Sequence, residues 1–142
     1  MPAFSECRAF VPPTSAVETL LHSLMLQGTS WAEVGTDPRT GVSCWGLVQY
    51  AYAQAGLNVP VSACEASEHF VRVEPPYQAW DMPVAHFATV IYGTLHVGLL
   101  LTADSGFHCS RATNGLARFR LSDMLWRRGL RHVYRLRVLA CT

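Results

Sequence analysis

Residues 41–52 read GVSCWGLVQYAY and place a cysteine directly before a stretch of helical periodicity. Gly56 and Pro60 follow that stretch as stop signals for a helix. Ser43 is a favourable N-cap, so we expect Cys44 to lie in the first helical turn. Unpaired N–H groups and the helix dipole lower the pKa of a thiol there, and the same groups can bind an oxyanion. The apolar stripe consists of Leu47, Val48, Ala51, Tyr52 and Ala55.

Four roles are open to a cysteine at this point: small core residue, metal ligand, half of a disulfide, or nucleophile. A nucleophilic thiol needs a base, usually histidine, and a third polar group that orients the imidazole. The choice therefore depends on what the rest of the chain places beside the thiol.

The order of the predicted elements indicates the fold class. A first helix is expected over residues 14–27, with Ser15 and Glu18 in capping-box positions and Gly28 at its end. A long Gly/Thr/Asp/Pro-rich loop then leads to the cysteine. The second half contains apolar runs typical of strands, with RLSDMLWRRG as a short helix or turn and LRHVYRLRVL as the last strand. This order predicts an α+β fold, an antiparallel sheet with the N-terminal helices packed on it.

The length of 142 residues and a hydrophobic content of 50% predict a single domain over residues 1–142. The N-terminal stretch MPAFSECRAFVPPTS lacks a basic region followed by an apolar run. No stretch approaches the roughly 20 apolar residues that span a bilayer. We therefore expect cytoplasmic synthesis and no membrane partner.

The five cysteines are scattered and odd in number, which argues against a disulfide framework or a CxxC-type zinc site and favours a reduced compartment. Residues 111–142 carry eight Arg against Asp123, whereas residues 1–110 carry three Arg against nine acids. The Arg residues of the last strand are typical of a charged edge that discourages aggregation. The alternative is docking on an anionic partner, although nucleic acid is not the expected one.

Two histidines lie where a base and an orienting group would be needed. His96 begins the strand LHVGLLL and shares a face with Gly98, whose missing side chain leaves room for another element or a substrate. His108 follows one tight turn later in GFHCS, on the expected neighbouring strand, so its ring can approach that of His96. We therefore take His96 as the candidate base and His108 as the candidate orienting group.

Each of these residues also has a structural interpretation. Cys44 alone would be a small buried residue, and either imidazole alone a core or strand histidine. A zinc site built from the three is chemically reasonable, but the spacing suggests no fourth ligand. Cys109, beside His108, should point to the opposite face and into the core. We interpret the remaining histidines as structural or surface residues: His22, His69, His86 and His132.

The segments GVSCWGLVQYAY, HVGLLL and GFHCS together resemble the NlpC-type family of papain-like cysteine peptidases, bacterial cell-wall endopeptidases. In that family a Cys opens a helix within DCSG or DCWG, a His starts a strand as HVG, and a second His follows on the next strand. Cys44, His96 and His108 match in type, order and approximate spacing. The resemblance implies a papain-like NlpC-type core and a catalytic Cys-His-His set. It also implies hydrolysis of peptide or isopeptide bonds in peptidoglycan stem peptides through a thioester, with no metal or organic cofactor.

Three residues near the cysteine bear on the substrate, and we predict that Ser43, Trp31 and Trp45 bind it. Ser43 stands where the family usually has an Asp that helps to recognise a free amine. Trp31 takes the place of a Tyr whose hydroxyl assists at the substrate carbonyl, and Trp45 follows the nucleophile as a candidate cleft wall.

The CWG form with LVQYAY is similar to family members encoded among phage tail genes. Phage tail proteins are then candidate partners, and packaging into a phage particle is a candidate route to the cell wall. Two alternatives to a peptidoglycan hydrolase stay open. One is a catalytically silent structural module of a phage tail tip, and the other is an amidase or acyltransferase that acts on another substrate.

Overall fold

A computed structural model describes residues 11–59, 67–86 and 95–140. The helices in these ranges are α1 (Ser15–Leu26), α2 (Cys44–Gln54) and α3 (Met124–Gly129), with short 3-10 helices at Ser67–His69 and Arg137–Leu139. None of the described helices combines the length and apolar character that a bilayer crossing needs.

The strands of the described ranges form three hydrogen-bonded groups whose members run antiparallel. A small hairpin pairs β1 with β2, the largest sheet has the order β3-β9-β4-β5, and the third has the order β6-β7-β8. The bounds are β1 (Thr36–Asp37), β2 (Gly41–Val42), β3 (Phe70–Val73), β4 (Met82–His86), β5 (Leu95–Val97), β6 (Leu99–Leu100), β7 (Ser105–Ser110), β8 (Gly115–Arg120) and β9 (Leu130–Leu136).

The two larger sheets are continuous at Gly98, which separates β5 from β6. The Gly98 N–H donates to the Pro83 carbonyl at 3.1 Å, and the Leu100 N–H donates to the Asp81 carbonyl at 2.9 Å. The chain therefore continues along β4 through the break and then turns into the β6-β7 hairpin. The result is an α+β fold with antiparallel strands, as the sequence predicts.

Helix α2 packs against the sheets through the apolar stripe read from the sequence. Leu47, Val48, Ala51 and Tyr52 are all fully buried, and α1 adds Val17 and Leu21 to the same core. The Tyr52 hydroxyl donates to the Trp80 carbonyl at 2.7 Å, which satisfies the one polar atom of that side chain. The core thus holds α2, and with it Cys44, rigidly against the strands.

The start of α2 depends on a close backbone approach. A Cβ on Gly46 would collide with the Gly35 carbonyl, so the loop before the cysteine fits only against a glycine here. The Ser43 N–H donates to the same Gly35 carbonyl at 2.9 Å, and the Ser43 hydroxyl accepts from the Gly46 N–H at 2.9 Å. Ser43 is therefore the N-cap of α2, as predicted, and the first turn is fixed in place.

Several local predictions were wrong. Thr14 rather than Ser15 caps α1, with no side-chain cap hydrogen bond, so the capping box does not form. The sequence analysis does not predict the strand β8, which pairs with β7. The last strand is not a charged edge, because β9 lies between β3 and β4. The parts of the apolar runs at 87–94 and of the segment at 60–66 lie outside the described residues.

Candidate functional site

Cys44 opens α2 and lies against β5, the strand that carries His96. Backbone N–H groups of Val97, Trp45 and Cys44 itself are directed at the sulfur. Two of them belong to the first turn of α2, and the third belongs to the residue after His96. The thiol therefore lies where the helix N-terminus meets the sheet, and α2 and β5 are in direct contact.

His96 and His108 form a hydrogen-bonded pair across neighbouring strands. The His96 Nε2 atom lies 2.8 Å from the His108 Nδ1 atom, and the rings meet edge to face with centroids 5.0 Å apart. The β6-β7 register pairs Leu99 with Phe107, which brings the positions next to them, Gly98 and His108, across from each other. The predicted approach of the two rings is confirmed.

Two aromatic rings enclose the imidazole pair. Trp126 of α3 lies 5.6 Å from His96 and 5.7 Å from His108 between ring centroids, and Phe119 of β8 lies 5.2 Å from His108. The Trp126 and Phe119 rings stack on each other at 4.3 Å. Both rings fill the space that Gly98 leaves open, so another element rather than a substrate occupies it.

Burial favours the neutral forms of both imidazoles and of the Cys44 thiol. Burial, with a smaller contribution from His108, lowers the pKa of His96 to about 3. Burial lowers the pKa of His108 to about 4, against the opposing effect of the Asp123 carboxylate. Burial also raises the pKa of the Cys44 thiol, and the three N–H groups at the sulfur oppose this shift without cancelling it. The predicted lowering of the thiol pKa at the helix N-terminus is therefore wrong in net direction.

A cleft of about 650 Å³ opens beside the thiol, and its lining includes neither His96 nor His108. The neighbours of His96 along β5, Leu95 and Val97, both line this cleft. A second concavity, about 580 Å³, lies beside α2, and its lining includes none of Cys44, His96 and His108. The first cleft is lined by Cys44, Trp45, Phe70, Met82, Val84, His86, Leu95, Val97, Arg131, His132 and Tyr134.

The comparisons with known proteins agree with this geometry. The sequence profile of the NlpC/P60 family matches residues 28–135, more than half of the chain. The chain belongs to the NlpC/P60 family. Over 49 residues it is 41% identical to the bifunctional muramidase/DL-endopeptidase CwlT of Bacillus subtilis strain 168. The matched segment covers 34% of this chain and 15% of that protein.

Solved structures of NlpC/P60 proteins share the fold. One is a lipoprotein-like NLP/P60 protein of Staphylococcus aureus, with a TM-score of 0.65 and 22% identity over 85% of this chain and 41% of that one. Another is the NlpC/p60 domain of the peptidoglycan hydrolase SagA, with a TM-score of 0.60 and 16% identity over 84% of this chain and 98% of that one. The chain thus spans less than half of the first structural relative and about the whole of the isolated SagA domain.

The NlpC/P60 match includes all the residues predicted to bind substrate, and they have different surroundings. Trp45 lines the cleft and meets Phe70 edge to face at 6.2 Å. The Ser43 hydroxyl already accepts the N-cap hydrogen bond of α2 and lies 3.4 Å from the Gly35 carbonyl oxygen. Trp31 is half-buried outside the cleft lining, and the Arg111 guanidinium lies 4.8 Å above its ring.

Other predictions about the NlpC/P60 site residues can be checked in the same way. Cys109 is fully buried on the opposite face of β7, as predicted, and its thiol donates to the Val42 carbonyl at 3.3 Å. His86 and His132, interpreted from the sequence as structural or surface residues, lie in the lining of the cleft. The alternation of side chains along β9 predicts that His132 and Tyr134 share a face of the sheet. It does not predict that this face borders the Cys44 thiol. Across the described ranges, no three His, Cys, Asp or Glu side chains are grouped so as to hold a metal ion.

Proposed function

We propose that this protein is a cysteine-type hydrolase that cleaves peptide or isopeptide bonds of peptidoglycan stem peptides. Cys44 is the nucleophile, His96 the general base and His108 the residue that orients His96. The observation that carries the proposal is the 2.8 Å hydrogen bond between His96 and His108 on strands adjoining the thiol. The strand of His96 also directs the Val97 N–H at the Cys44 sulfur.

The hydrogen bond between the imidazoles limits how the base can work. His96 Nε2 is engaged by His108, so only Nδ1 can receive the thiol proton. That requires His96 to carry its own proton on Nε2 and to donate it to His108 Nδ1. His108 thereby holds the His96 ring in orientation and stabilises the imidazolium that forms during reaction, as the third member of a triad does.

The shifted pKa values indicate a neutral resting pair. Burial disfavours both the thiolate and the imidazolium, so the thiol proton moves to His96 Nδ1 as the sulfur attacks the carbonyl carbon. In this proposal the N–H groups of Cys44 and Trp45, which lie at the sulfur, stabilise the resulting oxyanion. Collapse of this intermediate breaks the C–N bond, the leaving amine takes the proton from His96, and a thioester on Cys44 remains.

The second half of the reaction restores the protein. His96 takes a proton from water as the water oxygen attacks the thioester carbonyl. The C–S bond then breaks, the carboxylic acid leaves, and the Cys44 sulfur recovers its proton. The names of the relatives support the substrate class, because one is a DL-endopeptidase and another a peptidoglycan hydrolase.

The test is release of product from purified peptidoglycan fragments, followed by mass spectrometry. Cys44→Ala and His96→Gln should each lower the rate by at least about a hundredfold. Cys109→Ala removes a thiol on the face of β7 opposite His108, and this variant should keep the wild-type activity. Circular dichroism establishes that each variant is folded.

Two outcomes would overturn the proposal. A wild-type protein that releases nothing from these fragments, and whose Cys44 labels no faster with iodoacetamide than in the His96→Gln variant, would support a silent structural module. Products that carry an acceptor amine in place of water would assign acyl transfer rather than hydrolysis.

A further inference from the structure

The cleft beside Cys44 has a mostly apolar wall that the reaction itself does not require. Val84 of β4 and Val97 of β5 are paired in register, and Phe70 and Met82 extend the same surface. Trp45 also lines the cleft, edge to face with Phe70. A wall of this kind favours contact with a hydrocarbon segment of the ligand, because both apolar surfaces leave water.

The far end of the cleft is cationic because of an irregularity in β9. Val84 pairs with His132, whereas the next residue, Ala85, pairs with Leu130. Arg131 is therefore the extra residue of a β-bulge, and its side chain lines the same cleft as that of its neighbour His132. Without the bulge, alternation would send these two side chains to opposite faces of the sheet.

The sheet fixes the separation between this end and the thiol. His132, Val84 and Val97 form one row across β9, β4 and β5, and the Val97 N–H points at the Cys44 sulfur. Neighbouring strands are about 4.8 Å apart, so the row spans roughly 10 Å. A ligand bonded to the sulfur reaches His132 with a short extended segment.

The charges of the lining favour an anion at that end. The described residues that line the cleft include no Asp or Glu. Arg131 is largely exposed, and within the described ranges it forms no ion pair. The His132 Nδ1 atom is buried and has no hydrogen-bond partner among the described atoms. A buried polar atom of this kind needs a partner, which a bound ligand can provide.

We propose that the cleft binds a substrate segment in which a short hydrocarbon stretch ends in a carboxylate. The hydrocarbon lies on the wall of Val84, Val97 and Met82. The carboxylate forms an ion pair with Arg131, and one of its oxygens forms a hydrogen bond with His132 Nδ1. The inference rests on the proposed function only in taking Cys44 as the reacting thiol.

Three iodoacetamides of equal length test this directly, each bearing a pentyl chain that ends in a carboxylate, a methyl group or an ammonium group. Labelling rates at Cys44 are measured by mass spectrometry at pH 8.5 and normalised to the rates with N-acetylcysteine. The carboxylate probe should react roughly fivefold faster than the ammonium probe. Arg131→Gln should abolish this preference, whereas Arg128→Gln makes the same charge change on α3, outside the cleft, and should keep it.

A second measurement does not depend on thiol chemistry. The Cys44→Ser variant is titrated with hexanoate and with hexylamine while the ring signals of His132 are followed by NMR. Hexanoate should shift them at lower concentration, and Arg131→Gln should remove the difference. Equal labelling by the three probes together with equal shifts would overturn the inference. A preference that persists in a protein inactive on peptidoglycan fragments would retain it while rejecting the proposed function.

Discussion

His96 and His108 share a hydrogen bond of 2.8 Å inside an aromatic enclosure, and their burial defines how the fold responds to acid. Both rings are more than nine-tenths buried, with Trp126 packed against each of them. Charging either ring in this site is unfavourable, so folding and protonation of the pair oppose each other.

The first prediction is that the protein loses stability as pH falls from about 6.5 toward 4. The pKa of His96 is lowered from 6.5 to about 3 and that of His108 to about 4 on folding. In this window the unfolded chain binds more protons than the folded one, so the free energy of unfolding falls with pH. Each such proton contributes about 1.4 kcal/mol per pH unit to the slope. Urea denaturation between pH 4.5 and 7.5 measures it.

The control for this slope is a double variant, His96→Gln with His108→Gln, in which the acid-dependent part contributed by the pair should disappear. The exposed His22→Gln variant should keep the wild-type slope. A double variant whose stability falls as steeply as that of the wild type would show that other groups govern the acid response.

The second prediction concerns the positioning role of His108. His108→Leu removes the acceptor for the His96 Nε2 proton and should lower kcat on peptidoglycan fragments by about a hundredfold, with KM little changed. His108→Asn places an amide oxygen near the lost Nδ1 and should restore part of kcat. Steady-state kinetics of the two variants decide the matter. Equal activity of the Leu and Asn variants would indicate that His108 only fills space.

The third prediction is that the missing side chain of Gly98 is needed for the aromatic enclosure. A Cβ there would lie 2.8 Å from Phe119 ring atoms and 3.1 Å from Trp126. Gly98→Ala should therefore lower the free energy of unfolding by about 1–3 kcal/mol and reduce activity as the rings move against the imidazoles.

A second substitution makes this test specific. Phe119→Leu removes the ring atoms that the new methyl group would contact. The double variant Gly98→Ala with Phe119→Leu should therefore lose less free energy of unfolding than the sum of the losses in the two single variants. The double-mutant cycle is measured by urea denaturation. Additive effects would mean that Gly98 is required for some other reason.

Much of this site could be predicted because its determinants are local. The stripe on α2 and the N-cap Ser43 place Cys44 in the first helical turn from sequence spacing alone. His96 and His108 are separated by one hairpin, so their approach follows from antiparallel pairing across a tight turn. Cys109 faces the core by simple alternation.

The features that could not be predicted depend on strand order. The sequence does not reveal that β9 lies between β3 and β4. Without this strand order, nothing indicates that His132 lies in the cleft beside the thiol. The bulge that turns Arg131 into the cleft arises from pairing with β4, more than forty positions earlier in the chain. The net pKa direction of Cys44 also depends on how deeply distant strands bury the thiol.

The fourth prediction concerns the ion pair that joins β9 to the start of β4. Arg135 Nε and Nη2 each donate to a different oxygen of Asp81 at 2.8 Å, and the Asp81 side chain has no exposure. The Gln78 N–H donates to the same carboxylate at 2.9 Å. Arg135→Met leaves the buried charge without its partner and should lower the free energy of unfolding by about 3–5 kcal/mol.

Two comparisons separate the loss of a partner from the net contribution of the pair. Asp81→Leu with Arg135→Met removes both charges and should recover most of the stability lost in the single variant. The surface pair of Arg118 and Glu18, 3.3 Å apart with both side chains nearly half exposed, provides the matched control. Arg118→Met should change the free energy of unfolding by less than about 1 kcal/mol. Urea denaturation at pH 7 measures all three, and similar losses for Arg135→Met and Arg118→Met would show that burial of Asp81 does not govern this interaction.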